Sequence, residues 1–201
     1  MQTGSALYFN IFNFLKSYFL STSMKKTLFL LFLLFSLNTF SQDLMPGDVI
    51  PDYGKTYPVE TPGFKTDTSS VLKVVFDVNR SFDEAEPNKL IETAARYLNM
   101  HEHAGVDPGN MQVAIVLHGK AVQDALNDES YKKKFPEVTS NPNLPLIKAL
   151  SENGVDIIIC GQSATHYEVN RENTDDHAVF ALSAMTALVQ LQNDNYRLIN
   201  F

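Results

Sequence analysis

Cysteine is almost missing from this chain: Cys160 is the single one in 201 residues. One thiol cannot close an intramolecular disulfide, and without a second there is no Cys-x-x-Cys redox or zinc motif. Basic residues are also short, with 16 Lys and Arg against 23 Asp and Glu and a net charge of -7. Nucleic-acid binding needs a basic face to displace counterions, so a nucleic-acid partner is not expected. Gly-x-Gly-x-x-Gly, a phosphate loop, Gly-x-Ser-x-Gly and His-Glu-x-x-His do not occur. A nucleotide enzyme, a serine hydrolase and a zinc protease therefore find no support. No cofactor is implied, and no metal is expected. His166, Glu168, Asp175, Asp176 and His177 share a polar loop but match no tight ligand spacing.

What is present begins with an address. Met24-Lys25-Lys26 is a short basic start, residues 27–37 are apolar and uncharged, and Thr39-Phe40-Ser41 carries small residues at the positions a signal peptidase reads. Residues 24–41 are thus expected to be a secretory signal peptide, cleaved before Gln42, which makes the protein periplasmic or secreted. The apolar run is shorter than the roughly 20 residues a membrane-spanning helix needs, so no stable anchor is expected after cleavage. Residues 1–23 are either an upstream artefact of start-site choice, with translation beginning at Met24, or a long n-region.

Residues 42–70 are punctuated by Pro46, Gly47, Pro51, Gly54, Pro58, Pro62 and Gly63. Proline and glycine at this density oppose regular structure. An extended arm is expected, with a short hairpin as one form. Its Tyr53, Tyr57, Val59 and Phe64 are placed to pack on the domain or on a neighbouring subunit; a disordered spacer is the other reading.

From residue 71 onward strand-like and helix-like runs alternate. Residues 71–78, 111–117 and 155–159 are continuous apolar strands. Leu90, Ile91, Ala94, Tyr97 and Leu98 share one helical face behind Pro87, and Gly105 and Pro108 end that helix. A short helix is expected over 120–126 and another after Asn141-Pro142-Asn143, while Tyr131 to Phe135 reads as a solvated helix face. His101 and His103 fall at the end of the first helix, where a cationic side chain suits the dipole. A last helix is expected over about 176–192, apolar nearly all round and so covered on more than one side, followed by a closing strand. Alternation with continuous apolar strands predicts an α/β domain, residues 71–201, with a parallel sheet and helices on both faces.

In open α/β sheets ligands bind beyond the carboxyl ends of the strands. The three predicted strands end at Asp77-Val78-Asn79-Arg80, His118-Gly119 and Cys160-Gly161-Gln162-Ser163. Gly119 and Gly161 suit tight turns. A helical turn after Gly161 would aim free N–H groups at the Cys160 sulfur and favour the nucleophilic thiolate. His118 is the candidate base or cationic partner, and Gln162 and Ser163 are candidate hydrogen-bond donors to the sulfur. The alternatives are a Cys160 that merely fills a core and a His118 held by local backbone.

Taken in order, several stretches resemble the DsrE-like family of sulfur-handling proteins. They are Lys73 to Val78, Leu98-Asn99-Met100 with Ala104-Gly105-Val106, Val116-Leu117-His118-Gly119, Asn141-Pro142-Asn143, Gly154-Val155 with Cys160-Gly161-Gln162-Ser163, and Leu182 to Ala187. The resemblance implies a flavodoxin-like fold, a homo-oligomer (trimer or hexamer) and an exported branch of the family. It also implies a sulfur carrier or sulfurtransferase that holds sulfane sulfur as a persulfide on Cys160, served by donor and acceptor proteins. Gly119, Gly161, Gln162, Ser163 and Asn79 would line the substrate site. The competing expectation is a non-catalytic module of the same fold that binds a small ligand or builds an oligomer.

Overall fold

The computed structural model describes residues 43–200. The expected signal peptide and the segment before it lie outside the described residues, as does Phe201. Along the described chain run β1 (Leu72–Val78), α1 (Lys89–His103), β2 (Met111–Leu117), a 3-10 turn (Gly119–Ala125), α2 (Asp128–Lys134), α3 (Leu144–Glu152), β3 (Asp156–Cys160), α4 (Gly161–His166), β4 (Ala178–Ala181), α5 (Ala184–Asn193) and β5 (Arg197–Asn200). The five strands form one sheet in the order β4-β3-β2-β1-β5. Every pairing is parallel, with Leu72 opposite Met111 and Leu117 opposite Ile159. This is the flavodoxin-like α/β arrangement.

Alternation along each strand divides the core in two. Val74, Phe76, Val113, Ile115, Leu117, Ile157 and Ile159 meet Leu90, Ile91, Ala94 and Leu98 of α1 and Leu146, Ile147 and Leu150 of α3. Val75, Ala114, Val116 and Cys160 face the opposite way, against Ala184 and Ala187 of α5 and Tyr196. A period of two in the strands sends alternate residues to opposite layers, so both layers must be apolar.

The C-terminal third departs from the sequence expectation. Residues 176–192 are not one helix. Ala178 to Ala181 instead pair with Ile157 to Cys160 as an edge strand. The Ser183 hydroxyl then accepts from the Thr186 N–H at 3.0 Å and starts α5. A short apolar run is ambiguous between strand and buried helix, and an open sheet edge resolved it. α5 is covered on one side only, leaving Leu182, Met185 and Val189 exposed. Tyr131, expected on a solvated face, is buried at 1% exposure, while the three lysines that follow it stay in solvent.

The arm is ordered at its start. A bridge between Met45 and Thr56 closes a loop over α1. Ile50 plugs the core, and Tyr53 packs beside it. Asn99 holds that loop: its Oδ1 accepts from the Ile50 N–H at 2.9 Å. Its Nδ2 donates to the carbonyls of Ile50, Tyr53 and Gly54 at 3.0, 2.9 and 3.2 Å. Tyr57, Val59 and Phe64 remain exposed. Asn99→Ala is expected to undock residues 45–56 at a cost of about 2–3 kcal/mol, because buried backbone groups lose their partner. Faster tryptic cleavage after Lys55 would report it.

Candidate functional site

The site is built at the carboxyl ends of β1, β2 and β3. Cys160 ends β3 and occupies the N-cap position of α4. It is 4% exposed and packs with Val75, Ala114, Val116, Ala184 and Ala187. Burial alone pushes its thiol pKa up. That effect is outweighed by hydrogen bonds from the Ser163 hydroxyl and from the backbone N–H groups of Ser163, Ala184 and Gln162, so the net shift is downward. Two helix starts, those of α4 and α5, therefore converge on one sulfur. N–H dipoles aimed at a sulfur favour the thiolate, the form that acts as nucleophile.

Ser163 ties the neighbouring strand end to this sulfur. Its Oγ accepts from the Gly119 N–H at 3.0 Å. Gly119 has φ +53°, and a Cβ there would stand 2.5 Å from the Asn79 carbonyl oxygen, so only glycine fits. Asn79 thus enters the site through its main chain, its side chain being exposed. At Gly161 a Cβ would lie 2.7 Å from the Ala181 carbonyl oxygen. The close approach lets the segment before α5 run past the thiol. Gln162 bridges to that segment, donating to the Leu182 carbonyl at 3.3 Å. Gly119, Gly161, Gln162 and Ser163 are accordingly gathered around Cys160.

His118 is arranged differently from the sequence expectation. The strand register puts it beside Cys160, but its Nε2 contacts Asp77 Oδ1 at 2.7 Å, across on β1. Among the described residues no hydrogen bond joins this imidazole to the sulfur. Ser163 takes the thiolate-stabilising place assigned to the ring. Asp77, Ser183 and the Ala184 N–H were not singled out as site groups from sequence. Asp77 carried a usable signal, being a carboxylate near the carboxyl end of a mainly apolar strand. The Ala184 N–H carried none, because it depends on where α5 begins. His177 forms a second pair with Asp175, Nδ1 to Oδ1 at 2.7 Å, within the polar loop.

The fold and this cradle define a class: a doubly covered parallel α/β sheet with a shielded, hydrogen-bonded thiol at its carboxyl rim. Residues 73–201 match the DsrE/DsrF-like family, and the chain belongs to it. Membership suggests sulfur relay at the level of the family. Two solved structures are similar. MTH1491 of Methanobacterium thermoautotrophicum, a protein of unknown function, is 14% identical; the match covers 65% of this chain and 99% of that one with a TM-score of 0.47. The ychN protein of E. coli is 15% identical over the same shares, with a TM-score of 0.48. No curated protein matches the sequence.

Proposed function

We propose that this protein is an exported sulfur carrier that holds sulfane sulfur as a persulfide on Cys160. The observation that carries the reading is the cradle: three backbone N–H groups and one hydroxyl lower the pKa of a thiol whose burial alone would raise it. Family membership supports the same reading. In the first step the Cys160 thiolate attacks the outer sulfur of a persulfide or polysulfide donor, R–S–SH. The S–S bond of the donor breaks, R–S⁻ leaves, and Cys160–S–SH forms. In the second step an acceptor thiolate attacks that outer sulfur and regenerates the Cys160 thiolate. No net oxidant or reductant is needed, because sulfur changes hands at constant total oxidation state. The same N–H groups suit an anionic terminal sulfur.

The test is intact-mass analysis of the protein exported by its own leader, before and after exposure to polysulfide. One added sulfur, mapped to Cys160 and removed by a reducing thiol, is expected on a chain beginning at Gln42. A thiol that takes up no sulfur in the folded protein overturns the carrier reading, and a mature chain still holding residues 24–41 overturns the cleavage reading.

We further read the protein as a homo-oligomer. Leu182, Met185 and Val189 are 72%, 76% and 56% exposed, and Val179 of the edge strand is 57% exposed beside them. Exposed apolar side chains gathered on the edge strand and on the segment and helix that follow it favour an interface. Met185→Glu is expected to lower the mass seen by light scattering to that of a single chain; an unchanged mass locates the interface elsewhere.

A further inference from the structure

Far from the thiol, the docked arm meets the end of α1. There Asp48 of the arm and Glu102 and His103 of the helix each offer one ligand atom, all within 4.8 Å of one another. The Glu102 Oε2 atom is shielded from solvent yet has no hydrogen-bond partner. It lies 3.9 Å from His103 Nε2, beyond hydrogen-bond range. The other ring nitrogen, Nδ1, is taken by Thr56 Oγ1 at 3.4 Å. Thr56 is itself buried and bridged to Met45, so this contact orients the ring from the arm side.

The Glu102 Oε2 oxygen has no partner although the Glu102 side chain as a whole is 28% exposed, and an imidazole nitrogen close by but out of bonding range does not satisfy it. A cation between them would. Metal–ligand bonds of about 2.0–2.2 Å set neighbouring donors of a tetrahedral site about 3.3 Å apart, so these donors, which lie within 4.8 Å of one another, must draw together on binding. Histidine held through its far nitrogen by an oxygen is the usual outer-shell arrangement of a metal ligand. One imidazole with two carboxylates is a donor set for a first-row divalent ion such as zinc, and ill suited to calcium, which takes six to eight oxygens.

We propose that Asp48, Glu102 and His103 form a divalent transition-metal site that clips the arm to α1. Its ligands come from both partners, so binding the ion and docking the arm are one event. In this site His103 would serve as a ligand rather than only as a helix-end cation.

The test is titration of the untagged, chelator-treated protein with zinc alone, followed by calorimetry, on wild type and on Cys160→Ser to keep the ion off the thiol. One zinc per chain is expected in both. His103→Gln and Asp48→Asn should each weaken binding about 100-fold, and Thr56→Val about 10-fold, the loss seen when an outer-shell partner is removed. Asp48 is exposed, so its variant leaves the core untouched, and circular dichroism checks the fold of the others. Zinc should also slow tryptic cleavage after Lys55 in wild type and not in Asp48→Asn. No saturable site, binding unchanged in both ligand variants, or binding lost with Cys160→Ser overturns the proposal and leaves a simple side-chain contact between His103 and Glu102.

Discussion

Cys160→Ser is expected to abolish sulfur loading completely while leaving the fold in place. Serine is close in size to cysteine, and its hydroxyl can take the bond that Ser163 now gives the sulfur, so the stability change should stay near 1 kcal/mol. A hydroxyl cannot form a persulfide. The informative companion is Ser163→Ala. It removes the hydroxyl that helps lower the thiol pKa and also the acceptor of the Gly119 N–H. The three backbone N–H groups remain, so the pKa should rise part of the way back and the thiolate fraction at neutral pH should fall. Alkylation rate against pH measures this directly. Wild type should titrate below the free-thiol range near ~8.5, with Ser163→Ala displaced upward. A wild-type midpoint at or above that range would mean that burial prevails and that Cys160 is packing.

Asp124 should make stability depend on pH in the direction opposite to most acids. It lies in the 3-10 turn after β2 and is 2% exposed. Burial raises its pKa to about 6; hydrogen bonds from Asn88 and Ser81 oppose this, and nearby Glu84 adds to it. Ser81 Oγ contacts Oδ1 at 2.7 Å and Asn88 Nδ2 donates to Oδ2 at 2.6 Å. Asn88 also caps α1 and donates its backbone N–H to Asn143 Oδ1. Asp124 is therefore one node of a network joining three loops at the rim that carries Cys160.

The folded pKa stands above the unfolded one, so the native state binds more protons between about pH 4 and 6. Stability from this group is full below pH 4 and is lost as pH rises past 6. A shift of about two units corresponds to something on the order of 3 kcal/mol. Asn at 124 reproduces the protonated form, donating to Ser81 and accepting from Asn88. Asp124→Asn should match wild type near pH 4 and exceed it at pH 8 by up to that amount. Denaturant unfolding of both proteins across this range decides, since other titrations cancel in the difference. Parallel curves would remove Asp124 from the account.

The chain order of apolar runs was enough to establish a parallel sheet covered on both faces. Val74, Phe76 and Val113 face one layer, and Val75, Ala114 and Val116 the other, because a strand alternates whatever its surroundings. The candidate strand ends were equally legible, since Gly161 follows an apolar run directly and Gly119 follows one after His118. Other features depended on distant contacts. Ala178 to Ala181 became a strand because β3 presented an open edge. The arm settled because Asn99, some fifty residues on, offers both a donor and an acceptor to its backbone. The partner of His118 was chosen across the sheet, and the Cys160 environment depends on where α5 begins. Local pattern specifies which way a side chain faces; which groups meet there is decided by packing, and only the folded chain brings residues 77, 118, 160, 163 and 184 to one rim.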